Sequence, residues 1–190
     1  MTRKPIVLVF AGPNGSGKST VTSGIGIVGT YVNADDIKTR AGLTDLDAAR
    51  EAEAVREHCL AHREDFTFET VLSTDRNIDL LSRAVEAGYE VRSVFVLTAD
   101  SELNAFRVSS RVATGGHDVP PDKIRMRYHK SLANLPVLVA LSTECTVFDN
   151  TLDTPQVIFH KSSGETAIFP NVMWDEETVE ALVRAEPAHG

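Results

Sequence analysis

Near the amino terminus, Gly12-Pro13-Asn14-Gly15-Ser16-Gly17-Lys18-Ser19 fits G-x-x-x-x-G-K-[ST] at every fixed position, with Thr20 next. These residue types suit the holding of phosphate. Glycines let successive backbone N–H groups turn toward phosphate oxygens, and a helix starting there adds the positive end of its dipole. Lys18 can then reach the β- and γ-phosphates, and the Ser19 hydroxyl can bind Mg²⁺. Ordinary residue frequencies put a chance match at about one chain in a hundred of this length. The motif lies between an apolar run and a helical pattern, which is the context it requires. A nucleoside triphosphate with Mg²⁺ is the expected ligand.

A phosphate cradle alone is silent about the reaction. Phosphoryl transfer is mostly positioning and charge neutralisation, so a transferase needs a carboxylate for the acceptor and cations over the γ-phosphate. "YVNADD" places Asn33, Asp35 and Asp36 at the end of a second strand. A carboxylate there can orient an acceptor hydroxyl and take its proton. Asp35 is read as that base and Asp36 as the N-cap of the next helix. "FTFET" ends a third strand in Glu69 and Thr70, where Glu69 would hold a Mg²⁺-bound water or the acceptor's hydroxyls. Arg107 and Arg111 lie four apart, Gly115 and Gly116 follow as a hinge, and Arg125 and Arg127 return on the next helical stretch. The segment from about 107 to 127 therefore reads as a lid that brings arginines over the triphosphate.

The elements that must position these groups alternate strand and helix. "PIVLVFA", "TYVNAD", "DFTFETVLS", "EVRSVFVLT" and "CTVFDNT" read as strands, the first a β-branched run suited to burial on both faces. A short glycine-weakened helix, "KSTVTSGI", follows the loop. A longer one, from Asp45 to Glu64, would bury Leu46, Ala49, Ala52, Val55 and Cys59. Further helices are expected from Arg76 to Ala87, from Ser101 behind an Asp100 or Ser101 cap, and from Asp122 toward Pro136, with "VLVALST" as its resumption. A hairpin turns around Ser162, Ser163 and Gly164, and a last helix runs from about Asp175 to Ala185. The expectation is a single α/β domain over residues 1–190. It would be a doubly wound, mainly parallel five-stranded sheet with helices on both faces, plus a C-terminal hairpin and helix at about 155–186. Ligands in such sheets sit at the carboxyl ends of the strands.

Composition narrows the partners. The formal charge is −8 and the pI about 5.2, which argues against a nucleic acid, although a small basic cleft can sit inside an acidic molecule. Two cysteines, Cys59 and Cys145, have neither metal nor disulfide-framework spacing and suit a reducing cytoplasm. The first apolar run is too short for a membrane span, and it reads better as a strand than as a signal peptide. His58 and His62 share a helix face without a third ligand at credible spacing, which reads as a solvated face. Asn150, after the fifth strand, is a candidate to border the adenine.

"GPNGSGKST", "VNADDIK", "FET" and "SRVATGGHDVPPDKIRMRYHKSLANLP" together resemble the zeta toxin family of P-loop kinases, in order and over most of the chain to Pro136. Toxins of that family phosphorylate the 3′-hydroxyl of UDP-N-acetylglucosamine with ATP and Mg²⁺. The resemblance implies a P-loop NTPase fold, Lys18 on the γ-phosphate and Asp35 as catalytic base. It further implies Glu69 in a sugar-nucleotide pocket, Arg111 on the transferring group, and a possible antitoxin partner. The likeness breaks at the lid. Where the family has a second arginine before Thr-Pro, this chain has His117-Asp118 before Val119-Pro120, so Arg127 or His117 takes that role, or transfer is weaker. The reaction class thus carries over better than the substrate.

Two rivals stand beside a small-molecule kinase of this type. A nucleotide-driven ATPase or regulator would want an LSGGQ-like signature or an acidic pair closing an apolar strand, and a GTPase an N-K-x-D base reader; none is present. A kinase of an antibiotic or nucleoside on the same scaffold stays open.

Overall fold

The computed structural model describes residues 3–112 and 119–184. In chain order the first half comprises β1 (Ile6–Ala11), α1 (Lys18–Thr22), β2 (Thr30–Val32), α2 (Ala34–Ala41), α3 (Asp45–His62), β3 (Phe66–Thr70) and α4 (Arg76–Glu86). The second half comprises β4 (Glu90–Leu97), α5 (Ser101–Val112), α6 (Pro121–Ala133), α7 (Leu135–Leu141), β5 (Glu144–Asp149), β6 (Gln156–Ser162), β7 (Glu165–Ile168) and α8 (Glu176–Arg184).

Every residue of β1 is buried, as its unbroken apolar run requires. Val7, Val9 and Ala11 join the larger core on one face of the sheet, and Leu8 and Phe10 pack with Val94 and Val96 on the other. The sheet order is β2-β3-β1-β4-β5-β6-β7. The first five of these strands run parallel, as expected. The hairpin does not stand apart from them: β6 pairs antiparallel with β5, so one sheet carries seven strands. Its two-residue turn puts Ser163 at φ 52° and Gly164 at φ 85°, the geometry that matches strand twist.

Several sequence expectations shift. The second strand stops at Val32, and Asn33 caps α2 by accepting the Asp35 N–H. Asp36 is therefore a first-turn residue and not the cap. In α3 the buried face is Ala48, Ala52, Arg56 and Cys59, while Leu46 and Ala49 are exposed. The strict apolar count had passed over an arginine on the inner face. His58 and His62 lie exposed on the outer side, with Nδ1 of His62 against the His58 carbonyl. α1 ends after five residues, ahead of Gly24 and Gly26. Pro136 stands in the first turn of α7, where its missing N–H costs nothing, and does not end α6.

Candidate active site

The glycine-rich segment joins β1 to α1 and lies flush against the ends of β4 and β5. A Cβ added at Gly12, at φ 141°, would stand 2.1 Å from the Val96 carbonyl oxygen. One added at Gly17, at φ 82°, would stand 2.1 Å from Nδ2 of Asn150. Both positions need the missing side chain as well as the backbone freedom. Asn150 is 7% exposed, and its amide donates to the Ser16 carbonyl at 2.8 Å. It braces the loop from the end of β5. Two buried polar atoms of the loop, Asn14 Oδ1 and Ser16 Oγ, have no hydrogen-bond partner among the described residues.

Nζ of Lys18 folds back onto the loop, donating to the carbonyls of Gly12 at 2.7 Å and Pro13 at 3.2 Å. Burial pushes this ammonium down to about 8; Glu69 and Asp35 hold it up, and Arg111 lowers it further. The lysine, two acids and arginine thus share one electrostatic environment, though they come from four separate elements.

The acids arrive from β3 and α2. Glu69 is half-buried near the end of β3, and Tyr31 Oη donates to its Oε1 at 2.5 Å. Asn33 Nδ2 donates in turn to Tyr31 Oη at 3.2 Å. Burial, with a contribution from Glu69, pushes the Tyr31 phenol up to about 12 against a lowering bond from Asn33, so this hydroxyl keeps its proton. Asp35 is exposed in the first turn of α2. Thr70 is buried, and its Oγ1 accepts the Leu72 N–H at 2.9 Å and the Asn77 amide at 2.7 Å. Its carbonyl accepts the Gly12 N–H, which ties β3 to the loop.

These groups line a single cleft of about 730 Å³ at the carboxyl ends of the strands. Asn14, Gly15, Gly17, Lys18, Ser19 and Thr20 form one wall; Asn33, Asp35, Glu69 and Thr70 form another; Arg107, Arg111 and Arg127 form a third. Gly12 and Ser16 are buried behind the loop with Pro13. Lys38, Asp45 and Lys123 also line the cleft, giving six basic side chains against three acidic ones in a chain of charge −8. A polyphosphate therefore meets local charge opposite in sign to the molecule's own.

Of the lid arginines, Arg125 turns away. Its guanidinium pairs with Glu102 at 2.5 and 2.9 Å and with Asp122 at 2.9 Å. Two residues on, Arg127 faces the cleft. Arg107 donates to the carbonyls of Asn150 at 2.8 Å and Thr151 at 3.1 Å, joining α5 to the segment that braces the loop. His117 and the Gly115–Gly116 hinge lie outside the described residues. Sequence reasoning missed Lys38, Asp45 and Tyr31. Lys38 and Asp45, 2.6 Å apart, fasten α2 to α3. Once Asn33 is taken as the cap, Lys38 falls one turn after Asp35, and Tyr31 is two residues from Asn33; these are the signals that could have found them.

The family model of the zeta toxin matches residues 29–171, beginning just past the glycine-rich loop. An uncharacterized protein of Haemophilus influenzae is 30% identical over 127 residues, which is 64% of this chain and 91% of that one. The fold is also similar to the crystal structure of AvrRxo1-ORF1:-ORF2 with ATP, at TM-score 0.72 and 15% identity over 98% of this chain. It is similar again to a structure from the PezAT chromosomal toxin–antitoxin system of Streptococcus pneumoniae, at TM-score 0.62 and 16% identity over 97% of this chain and 80% of that one. This chain spans 66% of the length of the AvrRxo1 chain. No described helix is long and apolar enough to cross a membrane. With a family model matched over most of its length and a P-loop kinase fold around the cleft, the chain belongs to the zeta toxin family.

Proposed function

We propose that this protein is an ATP- and Mg²⁺-dependent kinase of small molecules, transferring the γ-phosphate to a hydroxyl, most plausibly of a UDP-N-acetyl sugar. The observation that carries the proposal is that Lys18 and Asp35 line one cleft of about 730 Å³. An ATPase can use such a carboxylate to position water, so transfer to an acceptor is what separates the two readings.

In this reading the glycine-rich loop and Lys18 hold the triphosphate, with Lys18 leaving its bonds to the Gly12 and Pro13 carbonyls for phosphate oxygens. The cradle fits that group: Gly15, Gly17, Lys18, Ser19 and Thr20 line the cleft, and Lys18 brings an ammonium to it. Ser19 would be the protein ligand to Mg²⁺, which would supply charge neutralisation to the triphosphate when bound. No cluster of three acidic, His or Cys ligands exists among the described residues, which suits an ion held mainly by phosphate and water.

Asp35 orients the acceptor hydroxyl and takes its proton as the O–P bond forms and the bond to the leaving ADP breaks. Glu69, held by Tyr31, and Asn33 grip the acceptor's other hydroxyls. Arg111 and Arg127 stabilise charge on the moving phosphoryl group. Arg127 is the better candidate for the second lid arginine because its side of α6 faces the cleft. The PezAT likeness supports an antitoxin partner, and the reading places the work in the cytoplasm.

Incubation with γ-labelled ATP and a panel of UDP-sugars, nucleosides and aminoglycosides tests the proposal. Label on one acceptor is expected, with UDP-N-acetyl sugars first. Label released only as inorganic phosphate would turn the assignment to an ATPase.

A further inference from the structure

Arg56 faces inward from α3 and is only 9% exposed. A buried charge is ordinarily paired or saturated with hydrogen bonds, because its desolvation is otherwise uncompensated. Among the described residues, Asp149 is the other charged side chain classed as buried, and it accepts from Thr151 and Asn171. The Arg56 guanidinium makes no hydrogen bond and has no carboxylate within ion-pair distance among the described residues. Its guanidinium stands over the Phe68 ring, 5.3 Å from the centroid, which fixes its plane and leaves its N–H donors unused.

Those donors border a second cavity, of about 400 Å³, between α3 and α4. It shares no lining residue with the phosphate cleft. The carboxylates nearest Arg56 are engaged elsewhere: Glu53 with Arg76 at 3.0 Å, and Glu57 with Arg83 through a fork at 2.8 and 2.5 Å. Asp79 also lines the cavity. Two of the three arginines are thus ion-paired at close range, whereas Arg56 feels Glu53 and Glu57 only from farther off and keeps its donors unpaired. Asn77, on the same wall, holds Thr70 of the cleft through its amide, so the cavity backs directly onto the acceptor side.

We infer that the α3–α4 cavity is an oxyanion-binding site built on Arg56, taking a phosphate or carboxylate group in the fork geometry of a guanidinium. Its existence is independent of the kinase reading. Its use for a remote acidic group of the acceptor rests on that reading.

The test titrates inorganic phosphate and acetate, separately, into wild-type protein, Arg56→Met, Arg56→Lys and Lys18→Met, following heat of binding. Met keeps the packing on Phe68 and removes the charge and donors. With at least one anion, Arg56→Met is expected to lose a binding event that Lys18→Met retains within twofold, and Arg56→Lys to weaken it about tenfold. Which anion shows the event identifies the group. Equal binding of both anions by wild type, Arg56→Lys and any folded Arg56→Met would overturn the site. So would an anion-binding event abolished by Lys18→Met alone. If Arg56→Met does not fold, the Arg56→Lys comparison decides. The kinase assignment can fail in the labelling assay without altering any of these outcomes.

Discussion

Asn150 and Ser16 stand 134 residues apart in the chain, yet the Asn150 amide donates to the Ser16 carbonyl at 2.8 Å inside the protein. That bond fastens the phosphate loop to the end of β5. The backbone of Asn150 is itself gripped by Arg107 from α5. Loop, fifth strand and α5 are therefore tied together, and nucleotide affinity should depend on a residue outside the glycine motif.

Asn150→Ala is expected to strand the Ser16 carbonyl in a buried site and to cost about 1–3 kcal/mol of stability. Nucleotide affinity should fall with it. Chemical denaturation and a binding titration check the two effects. Unchanged stability would mean that water replaces the amide without loss.

Nucleotide affinity should fall as pH rises through about 8. In the proposed kinase the ammonium form of Lys18 binds the triphosphate, and burial lowers that ammonium to about 8. Below that value the charge is present, and above it the apo site must take up a proton on binding. The stability sign follows from the same shift: the unfavourable buried ammonium is fully present below about 8 and is relieved as pH rises toward the unfolded lysine value, roughly 10.4. Lys18→Met should bind weakly and lose the transition near 8; persistence of that transition in the variant would assign it to another group.

Arg125→Ala and Arg127→Ala should behave differently although two residues separate them. Arg125 is committed to Glu102 and Asp122, whereas Arg127 lines the cleft. Turnover is expected to be unaffected within about twofold for the first and to fall tenfold or more, through kcat rather than KM for ATP, for the second and for Arg111→Ala. Equal effects at 125 and 127 would remove the lid assignment.

Tyr31→Phe deletes the hydroxyl that holds Glu69. KM for the acceptor should rise several-fold while ATP affinity stays level, because Glu69 would lose its orientation and Lys18 would keep its bonds. A change confined to ATP binding would place Glu69 on the metal side of the cleft.

Much of this arrangement is legible in sequence because its signals are local. The buried run before Gly12, the loop motif and the glycine–serine turn each declare themselves within a few residues. What is not legible is what depends on pairing across the fold. Nothing local marks Asn150 as a brace, since its partner lies in another element. The burial of Arg56 contradicts residue type, and only the helical register of Ala48, Ala52 and Cys59 points to it. Asn33, and not Asp36, caps α2, because its side chain accepts the Asp35 N–H. Arg125 and Arg127 look alike in sequence; the acids that claim Arg125 come from α5 and from the first turn of α6.

The most direct measurement is phosphoryl transfer by Asp35→Asn, made beside a titration of the same variant with ATP. If Asp35 handles the acceptor's proton across the cleft from Lys18, nucleotide affinity stays within about twofold of wild type while transfer drops by roughly a hundredfold or more. Transfer at the wild-type rate by the variant would contradict the account.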